Sequence, residues 1–227
     1  RDALRAAGLS VVVATASDLA TDTPPRALVL AVKPQLMDAA CAPLIGRIGT
    51  GTMVLSIAAG KTIAGFETRF GSTTPIVRAM PNTPAAVGRG ASVLCANAAA
   101  GRADRAVAET LMAAVGEVHW LADEDLMHAV TAVSGSGPAY VFLLIEAMAA
   151  AGARLGLPAE LAMRLARSTV CGSGELARLD PAPAAILRQN VTSPGGTTQA
   201  ALDVLMAEPG LTTLMEQALA AAARRSR

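Results

Sequence analysis

Residues 52–80 read "TMVLSIAAGKTIAGFETRFGSTTPIVRAM", and this stretch decides the fold. "TMVLSIAAG" is apolar at successive positions and ends in Gly60. That pattern fits a strand buried on both faces of a parallel sheet. "TIAGFETRF" follows as a helix, with Thr62 at the N-cap position. "PIVRAM" returns to a strand, which runs into the loop "PNTP". Strand and helix alternating with short links predict a parallel α/β sheet.

The same pattern extends in both directions. "VVV" at residues 11–13 reads as a short strand, and "RALVLAV" at 26–32 as one buried on both faces. "PQLMDAACAPLI" is a helix with Pro34 near its first turn. "GASVLCA" is a strand, "RADRAVAETLMAAVG" a helix and "EVHWL" a last strand. The expected fold class is therefore α/β over residues 1–121, a doubly wound, Rossmann-like parallel sheet. Residues 122–227 show no strand pattern and are expected to form an all-α domain. Its longest helix is expected from Pro138 to Gly152 or beyond, and it is apolar nearly all round. Such a helix is buried, and a domain of about 100 residues hardly covers it alone, so a second subunit is expected. Pro181 is expected to open a short helix that ends at Asn190.

Composition excludes several functions. Apolar residues are 52% of 227 and charged ones 16%, so a core forms without disulfides. Net charge is +1 with basic residues scattered, which gives no electrostatic case for nucleic acid. Cys41, Cys95 and Cys171, with only His119 and His128, make no metal-ligand cluster. Free thiols in a reducing cytosol, hence a cytoplasmic protein, is the reading. No apolar run reaches the roughly 18 residues that span a bilayer, so no membrane partner is expected. No Ser-His-Asp or Cys-His set is evident.

Ligands of an open α/β sheet bind beyond the carboxyl ends of its strands. "AVKPQ", "SIAAG" and "MPNTP" are three such ends, with small residues that let a flat ligand approach the backbone. No G-x-G-x-x-G follows a strand, and "GRIGTGT" at residues 46–52 reads as a turn. "SGSGP" reads as a helix-to-helix turn with a Ser cap, or as a ligand edge using the same free N–H groups. "NVTSPGGTT" at residues 190–198 combines amide and hydroxyl side chains with Gly195-Gly196 at a helix start. Free N–H groups and the positive helix end there suit a carboxylate, against the plainer reading of a Gly-rich N-cap.

"AVKPQ", "SIAAG", "MPNTPAAVGRGASVL", "AVTAVSGSGPAYVF", "LGLP" and "NVTSPGGTTQAAL" stand in this order at family-like spacings. Together they closely resemble the pyrroline-5-carboxylate reductases over residues 1–227. The resemblance implies an N-terminal NAD(P)-binding Rossmann domain (1–121) and a helical dimerisation and substrate domain (122–227), with dimers assembling into decamers. It implies reduction of 1-pyrroline-5-carboxylate to L-proline with NADPH or NADH, in a site shared by the nucleotide domain and helical segments that include the partner's. By motif, Ala31, Val32, Lys33, Pro34, Ile57, Ala58 and Ala59 would line the cofactor, with Asn82 and Thr83 near the nicotinamide. Ser193, Gly196, Thr197 and Thr198 would hold the substrate, with Thr198 the donor to the ring nitrogen. Asn190 and Glu124 match positions near cofactor or substrate, and His128, where an acidic residue is common, receives no role. A cyclic imine reduced by hydride needs positioning more than acid–base machinery, which suits a chain poor in histidine.

The chain opens on Arg1, with residues 1–7 read as a helix tail stopped by Gly8. The strand, Gly-rich loop, helix and second strand that open this family are not in the sequence. The chain is therefore expected to be a fragment that binds NADPH poorly, a reading tight binding in a titration would sink. Two alternatives stand beside the reductase. One is a non-catalytic oligomerising remnant that lost its dinucleotide loop, which the reading frame upstream of Arg1 decides. The other is a different imine or hydroxyacid reductase, but no lysine stands between residues 126 and 155, where a hydroxyacid enzyme needs one.

Overall fold

A computed structural model describes residues 24–226. The helix tail and strand expected within residues 1–13 lie outside the described residues.

Among the described residues five strands form one sheet in the order of the chain: β1 (Ala27–Leu30), β2 (Met53–Ser56), β3 (Ile76–Met80), β4 (Gly90–Ala96) and β5 (Gly116–Trp120). β1, β2 and β3 pair in parallel, with Leu30 opposite Ser56 and Ser56 opposite Arg78. β4 runs antiparallel to β3, and β5 is parallel to β4. Helices α1 (Met37–Cys41), α2 (Ile63–Phe70) and α3 (Arg102–Ala113) lie in the connections. The mostly parallel α/β sheet is the fold class the sequence predicts.

Side chains alternate across the strands and build two cores. Leu30, Val54, Ile76 and Cys95 pack on one face with Met37, Ile63, Phe66 and Met127. Met53, Leu55, Val77 and Leu94 pack on the other with Ala108 and Met112 of α3. Burying a side chain such as Phe66 contributes about 1.5–3 kcal/mol. Thr62 caps α2 as expected, its hydroxyl accepting from the Gly65 amide at 3.1 Å. Gly71, at φ 89°, ends that helix in a backbone region open to glycine.

Three local expectations need correction. β1 is not buried on both faces: Val29 is 46% exposed. Among the described residues β1 is an edge strand, so only one side has a pairing neighbour. The helix after Pro34 is broken into a 3-10 turn (Pro34–Leu36), α1 and a second 3-10 turn (Ala42–Leu44). Pro43 supplies no N–H and tightens that last turn. The helix expected from Pro181 starts only at Ala184, because Asp180 first turns the chain by accepting from the Ala182 amide at 2.9 Å.

After β5 the chain is helical through its described end. α4 (Met127–Val130) passes into a π-helical turn, Thr131–Gly135. The contacts divide the chain into two compact units at Gly135/Ser136. The second unit holds α5 (Gly137–Arg154), α6 (Ala159–Leu179), α7 (Ala184–Asn190), α8 (Thr197–Leu205) and α9 (Leu211–Arg225). Its longest helix is α6 rather than α5. α5 and α6 are neighbours, and Ala149, Ala162 and Ala166 are buried. The larger apolar residues stay outside: Phe142 is 59% exposed, Leu143 63% and Leu179 64%. The expected burial of α5 is thus not met within one chain. The continuous helical stretch of residues 124–154 is also long and apolar enough, by length and composition, to cross a membrane. Glu146 interrupts it, so no uninterrupted apolar run of 18 residues arises.

Candidate functional site

Parallel pairing of β1, β2 and β3 brings their carboxyl ends to one edge of the sheet. There Ala31 and Lys33 are exposed and Val32 and Pro34 half-buried, with Pro34 opening the first 3-10 turn. Beside them Ile57 extends the ladder by donating to the Leu30 carbonyl at 3.1 Å. Ser56 accepts from the Ala58 amide at 3.3 Å, which turns the chain and buries Ala58 while Ala59 and Gly60 face out. Gly60 takes φ 70°, and a Cβ there would meet no neighbouring atom. Its glycine is needed for backbone conformation, not for space.

Asn82 and Thr83 follow β3 on the same edge. Thr83 is exposed at the start of a 3-10 turn, Thr83–Val87. The side chain of Asn82 is engaged at both ends. Its oxygen accepts from the Ala91 amide at 2.9 Å and its nitrogen donates to the Ser134 carbonyl at 3.1 Å. The amide therefore braces the loop against β4 and the π turn.

Glu124 is bound to groups of the sheet unit. One carboxylate oxygen accepts from the Ile63 amide at 2.9 Å and from Arg78 Nη1 at 2.8 Å. Arg78, on β3, is 2% exposed, and among the described residues its Nη2 has no partner. Sequence reasoning passed over Arg78. The signal was present, since an arginine inside an apolar strand is almost never fully buried unless paired.

"SGSGP" is not a capped turn. Thr131 and Ser134 return their hydroxyls to the carbonyls of Met127 and Val130, at 2.8 and 3.1 Å. Such bonds compete with the backbone ladder, and the winding here widens to a π turn that leads into α5. Ser136, at the N-cap position of α5, makes no capping bond. A Cβ on Gly135 would come within 2.6 Å of Met80 Cε, so glycine lets the π turn approach the end of β3.

In the helical unit, Gly196 is the N-cap of α8 without a side-chain bond, and Thr197 and Thr198 open the helix. Their amides and that of Gln199 have no intrahelical acceptor. Gly195 takes φ 69°, and the Gly196 amide donates to the Ser193 carbonyl at 2.9 Å. Ser193, Thr197 and Asn190 are exposed and Thr198 half-buried. One tight turn thus collects three hydroxyls around free N–H groups at a positive helix end, the donor set that suits a carboxylate.

The strand-end loops turn the small residues Ala31, Ala59 and Gly60 outward, which leaves room for a flat ligand to approach the backbone. A phosphate-cradling loop of the G-x-G-x-x-G type does not occur in the sequence.

Residues 124–227 match the family model for pyrroline-5-carboxylate reductase dimerisation. A pyrroline-5-carboxylate reductase of Pseudomonas aeruginosa is 48% identical over 199 residues, 88% of this chain and 72% of that protein. One from Arabidopsis thaliana is 42% identical over 200 residues, 88% and 71%. The solved pyrroline-5-carboxylate reductase of Coxiella burnetii is 42% identical with a TM-score of 0.84, covering 88% of this chain and 74% of that one. The pyrroline carboxylate reductase of Plasmodium falciparum, solved with NADP bound, is 33% identical with a TM-score of 0.77, covering 88% and 76%.

Proposed function

The chain belongs to the pyrroline-5-carboxylate reductase family, and from that premise we propose how its residues divide the reaction. The reaction is the reduction of 1-pyrroline-5-carboxylate to L-proline, the last step of proline biosynthesis. NAD(P)H supplies the hydride when bound.

The substrate is a cyclic imine bearing a carboxylate. The N-terminus of α8 receives that carboxylate through the free amides of Thr197 and Thr198, with the Ser193 and Thr197 hydroxyls beside it. Hydrogen bonds to a charged group contribute about 1.5–3 kcal/mol each. Gly195 and Gly196 let the backbone come close. As hydride reaches the carbon, the C=N π pair moves onto the ring nitrogen and takes up a proton, which the Thr198 hydroxyl relays from water while donating to that nitrogen. No nucleophile is required, so the chain's work is orientation and charge stabilisation. Ala31, Val32, Lys33, Pro34, Ile57, Ala58 and Ala59 hold the dinucleotide, and Thr83 lies at the nicotinamide. Asn82 serves that end by bracing its loop. Asn190 supports the substrate turn.

The observation that carries this reading is the turn at residues 193–198, with its free amides, three hydroxyls and positive-φ glycine. Residues 1–121 serve the nucleotide and 122–227 the substrate and dimerisation. The exposed apolar faces of α5 and α6 belong in a homodimer, and dimers build the decamer. We assign the stretch 124–154 to that interface rather than to a membrane, because it falls in the dimerisation match. The free thiols of Cys41, Cys95 and Cys171 suit a reducing cytoplasm. The test is an assay of the protein from its whole reading frame, with pyrroline-5-carboxylate and NADPH or NADH. Loss of reduced-nicotinamide absorbance that depends on the imine is expected. Its absence with both cofactors would overturn the reading.

A further inference from the structure

We propose that Arg78 and Glu124 are a positioning pair that fixes the loop after β2 against the loop after β3 and touches no substrate. The proposal rests on the reductase reading above. It departs from that reading's motif-based place for Glu124 beside the ligands.

One oxygen of Glu124 joins two elements. The Ile63 amide belongs to the first turn of α2, where amides have no intrahelical acceptor. That turn directly follows the loop at residues 57–60. Arg78 stands on β3, shortly before Asn82. Both loops assigned to the cofactor, one along the dinucleotide and one at the nicotinamide, are therefore hung from the same carboxylate. Glu124 is in turn placed by its own short 3-10 turn, Glu124–Leu126, capped by Asp123.

The chemistry favours a fixed geometry. Arg78 is flanked in register by Ser56 and Cys95, neither of which is charged at neutral pH. Among the described residues Glu124 is its one salt-bridge partner. A buried guanidinium held by one carboxylate has few alternative arrangements, and its unpartnered Nη2 supplies no second anchor. Loss of the pair frees both loops together. Misplacement of a cofactor by such a remote change is able to cost up to roughly 100-fold in rate.

The test compares Arg78→Met, Arg78→Lys, Glu124→Gln and the double variant Arg78→Met/Glu124→Gln with the wild type. Steady-state kinetics with pyrroline-5-carboxylate and NADPH are measured beside direct NADPH titration by fluorescence and melting curves without ligand. Expected is a rise of roughly ten-fold in the KM and Kd for NADPH in Arg78→Met and in Glu124→Gln. The KM for pyrroline-5-carboxylate should move less than about two-fold. The double variant should be no worse than either single one, because both remove the same contact. Arg78→Lys should recover part of the loss, and it replaces Arg78→Met if that variant does not fold. A rise in the KM for pyrroline-5-carboxylate in Glu124→Gln alone would make Glu124 a substrate ligand and overturn the proposal. Lowered melting temperatures with unchanged NADPH affinity would overturn it too, leaving a merely structural pair. A wild type that binds NADPH but does not reduce the imine defeats the reductase reading and leaves the titration to decide this one. A wild type that does not bind NADPH when expressed from its whole reading frame, as all these proteins are, overturns both.

Discussion

The side-chain nitrogen of Asn82 donates to the carbonyl of Ser134 at 3.1 Å, joining the loop after β3 to the π turn. The same side chain accepts from the Ala91 amide, so both backbone groups lose their partner if it is removed. Asn82→Ala is expected to cost about 1–3 kcal/mol. For a chain of this size that lowers the melting temperature by roughly 2–4 °C per kcal/mol. Asn82→Asp keeps the acceptor for Ala91 but sets a carboxylate against the Ser134 carbonyl, and it should be at least as damaging near neutral pH. Thermal melts of both variants check this. An Asn82→Asp protein as stable as the wild type would show that the Ser134 bond has no weight.

The alternation of strand and helix was legible because periodicity and caps act locally. Thr62 bonds Gly65 across one turn, and the sequence alone predicts that. The strand-end loops at residues 31–34, 57–60 and 82–83 were legible once the strands were read as parallel. What was not legible depends on partners distant in the chain. Glu124 meets Arg78 across 46 positions, and no spacing rule reports such a pair. The edge position of β1 among the described residues depends on sheet order, which its apolar sequence does not encode. The π turn arises from competing hydroxyl bonds at Thr131 and Ser134, whereas the text "SGSG" reads as an ordinary turn.

The turn before α8 makes two separable predictions. Gly195 sits at φ 69°, where a Cβ is strained although it would meet no neighbour. Gly195→Ala should therefore destabilise by about 1–2 kcal/mol through backbone conformation alone. Thr198→Ala should leave stability nearly unchanged, since the residue caps nothing. It should lower kcat/KM for pyrroline-5-carboxylate by about ten-fold or more, which corresponds to about 1.4 kcal/mol of lost transition-state interaction. Melting curves and initial rates on the two variants separate the effects. A fully active Thr198→Ala protein would remove the donor assignment.

The apolar face of α5 gives a prediction about assembly. Phe142 and Leu143 are exposed in the single chain, so a charge there costs the isolated chain little. In a dimer built through this helix the same charge would be desolvated. Leu143→Asp should shift sedimentation from dimer toward monomer, with the far-ultraviolet dichroism of the helices largely kept near neutral pH. An unchanged sedimentation coefficient would place the interface elsewhere.

The buried thiols predict a pH dependence with a definite sign. Cys41 and Cys95 are almost fully buried, on the core face that also carries Met37 and Phe66. Burial pushes both thiols above their ordinary range, and the Glu124 carboxylate adds to the rise at Cys95. The folded chain thus keeps protons that the unfolded chain releases near pH 8.5. Stability from this source is complete below that pH and is lost as pH rises through the folded values. The slope is at most about 1.4 kcal/mol per pH unit for each thiol. Urea melts between about pH 7 and pH 9.5 should show the fall. A Cys41→Ala/Cys95→Ala protein, less stable throughout because of its cavities, should show a shallower slope. An identical slope would assign the titration to other groups. Native alkylation near pH 8 should also leave both thiols unmodified until the chain unfolds, as mass spectrometry of the peptides would report.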